Sequence, residues 1–188
     1  MSKNVLALVA HADDEVLGCG GALAKHVENG DIVKLITMTN GVGARTTDKS
    51  SELNRQNSLL ESCVELGIVD NIQLNFADNE MDKYSLLELI KKTHSVIGSF
   101  EPHIVYTHHH SDLNIDHRLV NEVCMTIFRP QPGCSVEEIR SFEVMSSTHW
   151  SSDNQQLFFI PNLFVDIEKQ LETKMRALKC YDDEMRDF

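Results

Sequence analysis

Short apolar runs alternate with amphipathic stretches along this chain, the pattern of βα units that feed a mainly parallel sheet. Residues 5–10 form the first apolar run and predict a strand. The stretch over about 15–28 predicts a helix closed by Asn29 and Gly30, and 32–38 predicts the second strand. A Gly-bearing loop follows over 39–47. Helical spacing returns over 51–66, where Leu59, Leu60, Cys63, Val64 and Leu66 fall on or near one face and Gly67 stops the helix. Next come a short strand at 72–74, a helix opened by the capping-box pattern Ser85-Leu-Leu-Glu88 and ending near Phe100, a strand at 104–107, and a helix over about 116–128. Pro130, Pro132 and Gly133 break the chain. A second box, Ser135-Val-Glu-Glu138, predicts a brief helix, and 142–145 and 163–165 predict strands. Ile167, Leu171, Met175 and Leu178 then give a last helix its apolar stripe. The expectation is one α/β domain over 1–188, a Rossmann-like, mainly parallel sheet flanked by helices, with no internal repeat or linker.

Composition narrows the partners. The 17 basic side chains against 29 acidic ones give a net charge of −12, with no basic cluster of the kind that binds phosphate-rich surfaces, so nucleic acid is not an expected partner. The apolar run at 5–10 is too short for a signal-peptide core, and nothing approaches the ~18 apolar residues of a membrane span. Five scattered cysteines, Cys19, Cys63, Cys124, Cys134 and Cys180, contain no C-x-x-C pair. They read as reduced thiols in a cytoplasmic protein.

Two polar clusters fall where ligand sites belong in an open α/β sheet, just beyond the carboxyl ends of strands. The first is His11-Ala-Asp13-Asp14-Glu15 after the first strand. The second runs from His108 to His117 after the strand at 104–107 and includes His108, His109, His110, Asp112, Asn114 and Asp116. A His and a carboxylate from the first, with a His from the second, would make the open-sided N/O set of a catalytic zinc. His11 and Asp14 can converge on one ion across a tight turn, leaving Asp13 free to accept a proton. Each cluster taken alone also reads more plainly, as acidic side chains complementing a helix dipole or as a solvated His-rich loop. Gly18-Cys-Gly20-Gly21 lacks the third glycine of a dinucleotide fingerprint, since Leu23 stands there; these glycines are expected to permit close helix packing.

Ala10-His11-Ala12-Asp13-Asp14-Glu15 and Asp112-Leu-Asn114-Ile-Asp116-His117-Arg118 resemble the two metal motifs of the zinc-dependent PIG-L/LmbE-like N-acetylglucosaminyl deacetylases, with Ala12 where the family carries Pro. The resemblance extends over essentially the whole chain, through Gly41 to Arg45, Phe76 to Asn79 and Arg129 to Gly133. It implies His11, Asp14 and His117 as zinc ligands (or ligands of another divalent transition metal), Asp13 as general base and Asp116 as a carboxylate near metal and base. Asn114 stands where many members carry a His that stabilises the oxyanion. An amide can donate a hydrogen bond there but cannot shuttle a proton, so the general acid falls to protonated Asp13 or to His110. Arg45 and Asp78 occupy positions of sugar- or phosphate-contacting groups, or else are a surface charge and a turn former; His110 and Asp112 are further substrate-side candidates. Trp150, in Ser146 to Trp150, is either a sugar platform or packing.

The activity so implied is removal of an acetyl group from an N-acetylated amino sugar, sugar conjugate or related amide. Two alternatives stay open: a metal-dependent phosphoesterase, and a non-catalytic sugar-binding relative. The chain stops at Phe188, where similar sequences commonly continue, which leads to the expectation of a more open site or a neighbour's surface borrowed in a homo-oligomer.

Overall fold

A strand buried on both faces must be apolar at every position rather than at alternate ones. Residues 5–10 meet that demand: in the computed structural model, which describes residues 2–41, 49–150 and 158–182, all six are fully buried. Residues 5–9 belong to β1 (Asn4–Val9), the central strand of a five-stranded sheet, and Ala10 follows it directly. β2 (Ile32–Thr39), β3 (Asp70–Phe76), β4 (Ile104–His108) and β5 (Glu138–Phe142) complete it in the order β3-β2-β1-β4-β5, with every pairing parallel.

Among the described residues five α-helices cover the faces: α1 (Gly20–Glu28), α2 (Lys49–Leu66), α3 (Leu86–Ile97), α4 (Ile115–Ile127) and α5 (Leu171–Lys179). The two faces of β1 divide the core. Val5, Ala7 and Val9 pack with Leu23 of α1, Leu59 of α2 and Ala177 of α5. Leu6, Leu8 and Ala10 pack with Leu89 of α3 and Val120 and Cys124 of α4. All five cysteines are free. No helix among the described residues is long and apolar enough to cross a membrane.

Several local expectations are corrected. Ser135 does not cap a helix; its hydroxyl donates to the Pro102 carbonyl, and the amides of Glu137 and Glu138 bond to the His103 carbonyl, which draws the chain out as β5 beside β4. Tertiary pairing thus overrides the local capping signal. No strand forms at 163–165, where the side chains of Leu163 and Phe164 are exposed. On α2, Leu59, Cys63 and Leu66 are buried but Leu60 and Val64 face outward. The apolar stripe expected on the last helix holds only in part: Ile167 and Leu178 are half-buried and pack inward, but Leu171 and Met175 are exposed, and the chain packs also through Gln170, Ala177 and Tyr181.

The first helix is divided as well. Glu15–Cys19 forms a π-helical turn before α1 begins. The glycines here do serve close packing: a Cβ on Gly18 would lie 2.1 Å from the Phe142 ring, and one on Gly21 would lie 2.5 Å from Ile167. From β1 the chain winds outward through β2 and β3, then returns to place β4 on the other side of β1. That reversal opens a crevice at the carboxyl ends of β1 and β4, the position at which doubly wound sheets bind ligands.

Candidate metal centre

β1 and β4 end side by side, so the loop after β1 and the start of α4 converge over the crevice. His11 Nδ1, Asp14 Oδ2 and His117 Nε2 meet there. The separations are 3.2 Å from His11 to Asp14, 3.3 Å from His117 to Asp14 and 3.1 Å from His11 to His117. Tetrahedral bonds of about 2.0–2.1 Å to one ion put neighbouring donors about 3.3–3.4 Å apart. The observed triangle is therefore close to one face of a zinc tetrahedron, and these donors fit such an ion.

The outer nitrogens fix the tautomers. His11 Nε2 lies 3.1 Å from Asp78 Oδ1 and 3.1 Å from Asp116 Oδ2, so its proton belongs on that side and the Nδ1 lone pair is left for a metal. His117 Nδ1 lies 3.2 Å from Asp112 Oδ2, which likewise leaves Nε2 for the metal. Burial would depress both imidazoles. The bonds of His11 to Asp116, Asp14 and Asp78 outweigh it and raise that ring well above its ordinary value. The Asp14 charge and the Asp112 bond raise His117 to about 9.

Both supporting carboxylates are anchored in turn. Asp116, fully buried, accepts from the backbone amides of Asn79 at 2.7 Å and Met81 at 3.1 Å, which ties the loop after β3 to the site. Asp112 accepts from the hydroxyls of Thr148 at 2.6 Å and Ser147 at 3.1 Å and from the Asn114 amide at 2.9 Å. Burial opposes its ionisation, but the bond to His117 wins and holds the Asp112 carboxyl down at about 2.

These contacts relocate several expected substrate groups. Asp112 is buried beneath His117, and Asp78 is buried against His11. Asn114 is the N-cap of α4: its side-chain oxygen accepts from the Asp116 amide, and its NH₂ donates to Asn79 Oδ1, leaving one amide hydrogen for any other partner. His110 is exposed beside His109, and Trp150 is 72% exposed. Arg45 lies outside the described residues.

Asp13 and Asp14 diverge although they are adjacent. Asp13 carries φ +117°, a left-handed conformation costing a non-glycine residue about 1–3 kcal/mol. Glu15 Oε2 accepts its amide at 2.9 Å. Burial pushes the Asp13 carboxyl well above its ordinary range, the charges of Asp14 and Glu15 add to the rise, and Arg55, 3.6 Å away, opposes it. For Asp14 burial is outweighed by the neighbouring imidazoles, the charge of His117 foremost, which hold it well below that range.

Arg55 and His108 complete the surroundings without having been singled out as site residues. Arg55 precedes Leu59 by four on α2, so extending the Leu59–Cys63–Leu66 face backward by one turn reaches it. His108 ends β4, accepts the Ala10 amide at Nε2 and stacks on the His117 ring with centroids 3.9 Å apart. Burial lowers it to about 4, so it is a neutral wall against His117 rather than an ion-pair partner.

Residues 6–128 match the family model of PIG-L, GlcNAc-PI de-N-acetylase. The chain is 31% identical to the uncharacterized deacetylase YaiS of Escherichia coli K12 over 183 residues, covering 94% of this chain and 89% of that protein. Among solved structures it is similar to the N,N'-diacetylchitobiose deacetylase of Pyrococcus horikoshii, with a TM-score of 0.77 and 25% identity over 99% of this chain and 72% of that one. The fold is also shared with GalB, the 4-carboxy-2-hydroxymuconate hydratase of Pseudomonas putida KT2440, at a TM-score of 0.77 and 20% identity over 97% of this chain and 80% of that one.

Proposed function

The chain belongs to the PIG-L family of de-N-acetylases, and from that membership we propose that it is a zinc-dependent hydrolase that removes the acetyl group from an N-acetylated amino sugar or sugar conjugate. The observation that carries this reading is the 3.1–3.3 Å triangle of His11, Asp14 and His117 with Asp13 beside it. A zinc ion held there would supply Lewis acidity, bringing a water's pKa toward ~7.

The protein's own residues would do the rest. Asp13, with its carboxyl raised well above its ordinary range, takes a proton from the attacking water at its carboxylate. Asp14 is held ionised by the neighbouring imidazoles and stays a ligand. Asp116 and Asp112 keep the protons of His11 and His117 on the outer nitrogens, so that both rings present lone pairs inward. The amide hydrogen of Asn114 not used on Asn79 is the group available to meet the developing oxyanion. Protonated Asp13 then returns its proton to the departing amine.

The test is a mass-resolved deacetylation screen over N-acetylated sugars and sugar nucleotides, with phosphate esters in the same panel, run with zinc present and after chelation. Loss of 42 Da from an acetylated sugar, dependent on zinc, is expected. Turnover of phosphate esters alone would replace this reading with the phosphoesterase one, and zinc binding without turnover of any amide would leave a sugar-binding protein.

A further inference from the structure

Asp13 is held from behind by a residue far along the chain. Its strained backbone is fixed by Glu15, whose Oε2 accepts the Asp13 amide at 2.9 Å. Glu15 is itself fully buried, and an unsupported carboxylate there would be free to turn away from that amide or to take up a proton. Its other oxygen, Oε1, accepts two hydroxyls: Tyr181 Oη at 2.6 Å and Ser62 Oγ at 2.9 Å. Tyr181 is 1% exposed and stands just beyond α5; Ser62 lies on α2. The Tyr181 ring also lies under the Arg55 guanidinium, 5.7 Å from its centroid, and Arg55 reaches to 3.6 Å from Asp13 Oδ2. One buried tyrosine thus touches both groups that approach Asp13, Glu15 at its backbone and Arg55 at its carboxylate.

We infer that Tyr181 is a positioning residue for the proposed base, acting through Glu15 to hold the Asp13 backbone in the conformation that aims its carboxylate into the site. This rests on the reading of Asp13 as the base. The Tyr181 hydroxyl and Glu15 Oε1 form the short bond; Glu15 Oε2 then has one orientation available, toward the Asp13 amide. Because Asp14, the next residue, is a proposed ligand held separately by His11 and His117, the tyrosine acts on the base without acting on the metal triangle.

The test is Tyr181→Phe, which keeps the ring under Arg55 and removes the hydroxyl, with Ser62→Ala as a second variant that loosens the same Glu15 oxygen without touching the ring. Zinc content, kcat and KM are measured on each, together with hydrogen exchange of the Asp13 amide in the zinc-loaded protein. Expected for Tyr181→Phe are a fall in kcat of about tenfold, KM and zinc content within twofold of the parent, and Asp13 amide exchange about tenfold faster; Ser62→Ala moves both readouts the same way by less. Unchanged kcat and unchanged exchange overturn the inference. So does a joint loss of zinc, KM and general amide protection, which would make Tyr181 a structural brace only. If the parent protein turns over no acetylated sugar, the functional reading fails separately, and Asp13 amide exchange alone then decides whether Tyr181 positions this backbone.

Discussion

Asp13 and Asp14 show how far two identical side chains can be separated by their surroundings. Asp14 sits between His11 and His117, with the His117 charge foremost in keeping it ionised despite burial, whereas Asp13 is raised by burial and then by the negative charges of Asp14 and Glu15. The division of labour proposed for them predicts that Asp13→Asn retains one zinc per chain by metal analysis while kcat/KM for the best acetylated substrate falls about 10²–10⁴-fold, the usual weight of a general base. Asp14→Asn is expected to lose the zinc. The candidates His11, Asp13, Asp14 and His117 were legible because contiguous polar residues interrupt apolar runs at strand ends. The directions of Asp78 and Asp112 were not, because whether a loop carboxylate turns toward solvent or under an imidazole depends on which other loop lies opposite it.

At the scale of elements, the turn from Glu15 to Cys19 sets how closely β5 approaches the centre. Phe142, the last residue of β5, lies against Gly18 on one side and the His108 ring on the other, with ring centroids 4.8 Å apart, and His108 in turn stacks on His117. Gly18→Ala would drive a methyl group into the Phe142 ring. Overpacking of this kind costs about 1–3 kcal/mol, so chemical denaturation is expected to show a stability loss of that size, whereas an alanine at exposed Gly30 meets no neighbouring atom and is the control for backbone strain alone. The local pattern located β1, β2 and β4 by their apolar runs and α2, α3 and α4 by helical spacing and capping, since both are properties of near neighbours. It misassigned β5 because the hydrogen bonds that extend that segment come from His103, more than thirty residues away. It also overextended the apolar face of α5: Leu178 packs against the core beside buried Ala177, but Leu171 and Met175 stay exposed.

For the whole molecule, the strand order decides the chemistry by placing the end of β1 beside the end of β4, and it also ties metal binding to pH. In the metal-free protein His117 is raised to about 9, burial opposing and the Asp14 charge and Asp112 bond prevailing. A raised imidazole favours the folded state fully below its unfolded value of about 6.5, and that contribution is lost as pH rises through about 9. Zinc needs the same nitrogen unprotonated. The metal-free protein is therefore expected to lose thermal stability between pH 6.5 and 9 while the zinc-loaded protein changes less, and calorimetric titrations at pH 7 in buffers of different ionisation enthalpy should show proton release on zinc binding. The same bound ion would offset two of the twelve net negative charges. By itself the sequence determined the alternation of strands and helices and the two polar clusters at strand ends, because hydrophobic period and motif spacing are written between near neighbours. Only the tertiary structure decided that the two clusters share one ion-sized triangle, that Asp78, Asp112 and Asp116 support its histidines, and that Tyr181 reaches Asp13 through Glu15, because the contacts of His11 with Asp78 and Asp116 and of Glu15 with Tyr181 join positions 67 to 166 residues apart that only the closed sheet brings within hydrogen-bond range.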